Sequence, residues 1–378
     1  MPQADGTKND ASSRTTRSTV SRRRWLSAAG AVGAVGLAGC ASSIGGGGGS
    51  GQPDSIRYLG WGGNTQDSAR QLFEKWSEET GIEVNHQSAG GDTEFISIIE
   101  QNPGSIDVVN FSSYGIALAR ERDLLAEIDY GQLPNYTENM QESFQNAPYV
   151  KPEEESDTVF RDPVTQGYTY NTEQVDMEMT SWDDIIDPSL EGDIALRDAA
   201  LPRFGNASLA VGTNINEVAT DEAAYQETYE RMQEEHTNVF KYWGSGAQAI
   251  QFLREENAYV AEMWGGRTLA LEEAGYDQME YVIPEEGTFV LDENYNFPKS
   301  SEKQDAALDL INWSFQRENA IELTKNLGYP LMIKNPPEAI TSLPDYVDSI
   351  DSLSWPEWST ALEKQEQMTR DFQKIKQS

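Results

Sequence analysis

Few side chains in this 378-residue sequence are suited to covalent or acid–base chemistry. His86, His236 and Cys40 make up its whole stock of imidazole and thiol groups. His86 lies beside the apolar run around Val84 and His236 follows an acidic stretch. Neither adjoins a nucleophile motif, since Gly-x-Ser-x-Gly and His-Glu-x-x-His are both absent. Carboxylates are so abundant, 63 of them, that glycosidase-like pairs arise from composition alone and identify nothing. Runs such as Glu153-Glu154-Glu155 lack the alternating ligands of a calcium loop. One cysteine permits no internal disulfide and no cysteine-based metal site. We therefore expect no catalysis, no metal and no cofactor.

The chemistry left to Cys40 is lipid attachment. Arg22-Arg23-Arg24-Trp25-Leu26 precedes a short Gly- and Ala-rich apolar run, Ala28 to Ala38, and then Leu37-Ala38-Gly39-Cys40. A basic cluster, a short apolar segment and small residues before a cleavage point describe an export signal, too short for a good spanning helix. The paired arginines indicate twin-arginine export, and the last four residues resemble a lipobox. Residues 1–39 are thus expected to be a signal. Residues 40–53 are expected to be a lipidated Cys40 plus a Gly/Ser tether that holds the folded part off the membrane. This places the chain outside the cell, or in a periplasm, on the outer face of the cytoplasmic membrane.

The elements that follow must position any binding site. Ser55–Gly60 reads as a strand. Thr65–Thr80 carries Ala69, Leu72, Phe73 and Trp76 at helical spacing and stops at Gly81. Strand, helix, strand (106–109) and helix (115–122) follow, an order that implies a parallel sheet covered by helices. Residues 145–163, rich in Pro and Glu, read as a surface excursion. A second α/β set begins near Gly167, with strands at 194–196, 258–263, 281–283 and 288–291. The chain closes with helices at 304–314, 320–325 and within 358–374. Two such sets imply two lobes with a cleft between them and hinge closure over a ligand. The expected division is 54–165 plus about 290–336 for one lobe, and about 166–289 plus 337–378 for the other.

Charge describes the surroundings. With 63 acidic and 28 basic residues the net charge is −35, which fits a halophile whose surface stays soluble in salt that also screens its self-repulsion. No basic stripe exists to neutralise phosphates, so nucleic acid is not an expected partner.

Several weak motifs occur in order: Thr180-Ser181-Trp182-Asp183-Asp184, Leu190-Glu191-Gly192-Asp193, Leu196-Arg197-Asp198-Ala199, Ala261-Glu262-Met263-Trp264-Gly265-Gly266, Glu285 to Asp292, Ala307 to Asn312 and Leu327-Gly328-Tyr329-Pro330. Together they resemble the spermidine/putrescine-binding proteins of polyamine ABC importers over nearly all of 55–378. The resemblance implies an α/β, two-lobed periplasmic-binding-protein-like fold and a monomer. Such a protein takes a polyamine into the cleft and hands it to a membrane permease. It also implies ligand contacts at Trp61, Gly62, Ser112, Tyr114, Asp198, Trp264, Asp292 and Tyr329. Ammonium groups suit carboxylates and ring faces.

Trp264 and Tyr329 could equally pack between lobes, and Asp198 and Asp292 could be caps or hinge groups. The sequence departs from the family at Leu201, where an acid is expected, at Val290, where an aromatic is expected, and near Ser359, where an amide is expected. Arg267 would repel a polyamine and welcome a carboxylate or phosphate, or else pair with Glu272 or Glu273 on the next helix. Arg267 and Ser359 are therefore possible specificity positions. The alternative reading keeps the transport role for an amino acid, an organic anion or a metal chelate. A secreted hydrolase is the rival of another class.

Overall fold

Short β-branched and aromatic runs, each followed by an amphipathic helix, organise the described residues of the computed structural model, 52–150 and 156–378. Cys40, the arginine cluster and most of the expected tether lie outside them. Residues 51–378 form one compact unit.

Ten strands build one sheet: β1 Ser55–Trp61, β2 Glu83–Ala89, β3 Val108–Phe111, β4 Thr158–Asn171, β5 Ile194–Arg197, β6 Val239–Trp243, β7 Val260–Trp264, β8 Met279–Val282, β9 Thr288–Asn296 and β10 Leu353–Ser354. The order is β2-β1-β3-β9-β4-β7-β5-β6, with β8 on β4 and β10 on β9. Two parallel trios, β2-β1-β3 and β7-β5-β6, therefore flank the antiparallel pair β9–β4. Strand β4 changes partners along its length. Residues up to Thr165 pair with β9, whereas Gln166 to Tyr170 pair with β7.

Helices cover the trios for the expected reason. In the helix Asn64–Thr80 the buried apolar residues Ala69, Leu72, Phe73 and Trp76 share one stripe. Gly81 ends it at φ 78°, its N–H donating to the Ser77 carbonyl at 2.8 Å. Burying each of the larger side chains stabilises by about 1.5–3 kcal/mol. On the far trio the C-terminal helix Trp358–Ile375 packs Ala361, Met368 and Phe372 against Phe204 and Tyr225.

The surface excursion expected over 145–163 is overturned in its second half. Thr158–Asn171 is a strand buried along its whole length. Its polar residues mislead because their partners are internal. The Arg161 guanidinium pairs with Asp162 and Glu293, and a register shift between Phe160 and Asp162 accommodates Pro163, which has no N–H to donate. The helix Ala200–Ala210 was also unanticipated. Pro202 sits in its first turn, and a Cβ on Gly205 would lie 2.3 Å from the Phe289 ring. No helix of the described residues is long and apolar enough to cross a membrane.

Candidate ligand-binding cavity

Parallel strands with crossover helices leave their carboxyl ends open to solutes, and both trios point those ends at one cavity of about 660 Å³. Trp61 ends β1, Ser112 follows β3, Arg197 ends β5 and Trp264 ends β7. All four line the cavity, as do Leu291 to Glu293 of β9. The volume suits a small organic molecule.

On the β1–β3 side the wall is acidic. Burial pushes Asp92 and Asp292 each up to about 6, less far than it would without their hydrogen bonds. Asp92 accepts from the Ser112 N–H at 3.0 Å and the Ser112 hydroxyl at 2.7 Å. Asp292 accepts from the Ser113 N–H (3.1 Å), the Ser113 hydroxyl (2.6 Å), the Asn294 amide (2.8 Å) and the Tyr149 hydroxyl. Glu293 is raised to about 7 by burial, with Arg161 opposing and Asp162 reinforcing the shift. Neutral donors thus hold two carboxylates in place and leave their charge uncancelled.

The opposite wall carries Trp264 with two guanidiniums near its ring, Arg197 at 4.9 Å and Arg267 at 6.0 Å from the centroid. Arg197 donates to the Gln166 side-chain carbonyl, and Gln166 in turn donates to Glu262 at 2.8 Å. Two glycines allow the close packing behind Trp264. A Cβ on Gly265 would sit 2.5 Å from the Asp345 carboxylate, and one on Gly266 2.8 Å from the Tyr329 ring. Burial raises Asp345 to about 7, although it accepts from the Thr165 N–H at 2.9 Å and the Gly265 N–H at 3.3 Å. Tyr114 packs on Trp358 at 5.3 Å, and Trp61 on Phe95 at 5.2 Å.

Among the residues expected from the sequence, Trp61, Gly62, Ser112, Tyr114, Trp264, Arg267, Asp292 and Tyr329 line this cavity. Asp198 does not. Its exposed carboxylate pairs with Lys376 of the C-terminal helix. Ser359 does not either, its hydroxyl donating to Glu357 at 2.9 Å, while the adjacent Trp358 is in the lining. Val290 belongs to the apolar core and Leu291 faces the cavity in its place. Arg197, Asp92 and Glu293 were not anticipated. Arg197 could have been found as the last residue of a strand whose carboxyl end opens on the cleft.

The histidines stand apart from the cavity. His86 packs against Phe73 and Tyr58 with its pKa lowered by burial to about 4, and His236 stacks on Tyr242.

A family model described as bacterial extracellular solute-binding protein matches residues 71–346. The spermidine/putrescine-binding periplasmic protein of Salmonella typhimurium is 25% identical over 282 residues, 73% of this chain and 77% of that protein. The spermidine/putrescine ABC transporter substrate-binding protein of Streptococcus pneumoniae superposes with a TM-score of 0.76 at 20% identity, covering 86% of this chain and 99% of that one. The Tp0655 lipoprotein of Treponema pallidum superposes at 0.73 with 18% identity, covering 85% and 99%. The α/β architecture is thus that of periplasmic binding proteins, and no enzyme is expected of it. With most of its length matched by that model, the chain belongs to the family of bacterial extracellular solute-binding proteins.

Proposed function

We propose that this chain is the capture component of an ABC importer and that its solute carries an ammonium group, polyamines of the spermidine and putrescine kind being the first class to consider. The observation that carries the reading is the acidic wall. Asp92 and Asp292 stand beside Trp61 and Tyr114 in one cavity with no cation paired to either among the described residues, and their raised pKa values mark carboxylates in need of one. Ammonium groups gain charge-assisted hydrogen bonds there, and methylenes gain ring faces. The names of the relatives point the same way.

Capture works by closure. The halves 54–165 plus about 290–336 and about 166–289 plus 337–378 act as lobes. The partner change of β4 between Thr165 and Gln166 supports that division. A monomer, lipid-anchored at Cys40 on the outer face of the cytoplasmic membrane, would present the closed form to its permease.

Calorimetric titration of the full chain with spermidine and putrescine tests the reading. We expect one-to-one binding, weakened about tenfold or more by Asp292→Asn. If neither amine gives heat while a solute without an amine binds, the reading is wrong.

A further inference from the structure

Three arginines are buried in this molecule, Arg161, Arg203 and Arg231, and two more, Arg197 and Arg267, face its cavity. Arg161 and Arg203 are buried and each has two carboxylates, Asp162 with Glu293 and Glu235 with Glu262. Arg197 and Arg267 line the cavity, and neither has a carboxylate within 4 Å among the described residues. Two neighbouring guanidiniums thus face the cavity with no acid beside them.

Both are held without being neutralised. Arg197 donates to the side-chain carbonyl of Gln166, whose amide is fixed by Glu262, and lies against the Trp264 ring. Burial lowers the pKa of Arg197, with Glu262 opposing. Glu262 is not free to pair with that guanidinium. One oxygen accepts from Gln166 and Asn206 and pairs with Arg203, and the other accepts from the Arg197 backbone N–H at 2.9 Å. Arg267 has no hydrogen-bond partner among the described residues and packs near the same ring. A guanidinium has five donors in a planar fork suited to a carboxylate.

We propose that the solute is dipolar, its ammonium facing Asp92 and Asp292 and an acidic group, a carboxylate or similar oxyanion, facing Arg197 and Arg267. The inference rests on reading the acidic wall as an ammonium site and narrows it. A linear polyamine would set a second ammonium against two guanidiniums, a like-charge contact in a partly desolvated cavity. An amino acid with its amine and acid at opposite ends satisfies both walls. The preference follows from the placement of charge across the cavity, since each wall orients its charge with neutral groups and leaves it for the ligand.

Titration of the full chain with chain-matched probes decides it: putrescine, 4-aminobutyrate and succinate, with their six-carbon homologues. The amino acid of a set is expected to bind at least about tenfold more tightly than the diamine. Arg267→Gln should weaken the amino acid about tenfold and leave the diamine unchanged or tighter. Arg197→Gln should act the same way. Should it fail to fold, the exposed Arg267 supplies the readout alone. A diamine that binds most tightly and ignores Arg267→Gln overturns the dipolar ligand and leaves the ammonium reading standing. A dicarboxylate that binds most tightly overturns both, as does the absence of binding by every probe.

Discussion

The two walls of the cavity carry opposite charge, yet they are built by the same device, and a third cluster nearby is built by another. Asp292 is held by Ser113, Asn294 and Tyr149, and Arg197 by Gln166 and an indole ring. Arg203, set behind the second wall, is instead clamped between Glu235 and Glu262. A neutral donor or ring positions a charge and preserves it, whereas an ion pair positions a charge and consumes it. Asp92, Asp292 and Arg197 at the cavity are of the first kind. Arg161 and Arg203 in the interior are of the second, and their work is to hold the fold.

Removing a clamped charge should therefore cost far more than removing a preserved one. Arg203→Met takes the cation from buried Glu262 and leaves Glu235 with Arg231 alone, and we expect a loss of about 3–5 kcal/mol in urea unfolding. A loss below about 1 kcal/mol would erase the distinction.

The next effect is in pH. Asp92 and Asp292 titrate near 6 in the folded chain, against about 4 when unfolded. Between those values the folded state binds more protons than the unfolded one, so stability falls as pH rises from about 4 to about 6. The contribution is fully present below about 4 and gone above about 6. Affinity for an ammonium ligand should run the other way, rising over the same window as the carboxylates ionise. Urea midpoints of the ligand-free chain from pH 4.5 to 7 check the first part. Asp92→Asn should flatten the slope, and an unchanged slope would assign the pH dependence to the other acids, among them the buried Asp292, Glu293 and Asp345.

The smallest effect is expected at Arg267. As an exposed residue without an ion pair, Arg267→Gln should change stability by less than about 0.5 kcal/mol. A larger loss would make it a structural arginine and weaken its contrast with Arg203.

Much of this arrangement is legible in the sequence, because each trio consists of apolar strands punctuated by glycine and followed by striped helices. The strand end at Trp61 and the Trp264-Gly265-Gly266 turn carry visible signals, a large aromatic beside glycines. What is not legible is paired polarity. Arg161, Asp162 and Pro163 look like a surface loop until Glu293, more than a hundred residues away, supplies a partner. Asp198 and Arg197 differ by one position, and alternation along a strand sends one side chain to Lys376 and the other to the cavity. Asp92 reads as an ordinary first-turn acid because its partner, Ser112, comes from the far end of another strand.

The placement of β9 also sets an order for the birth of the protein. Strand β3 ends at Phe111, and its neighbour β9 begins only at Thr288. During synthesis from the amino end, β3 has β1 on one side while its other edge waits for β9 through the making of residues 112–287. Strand β4 waits as well, since β9 is its partner up to Thr165 and β7 its partner beyond. Pairing over such separations is slow and exposes sticky edges. A nascent chain that stops short of β9 has neither a closed first trio nor Asp292 and Glu293. The acidic wall is therefore among the last parts of the molecule to exist, completed when the returning strand seals the sheet.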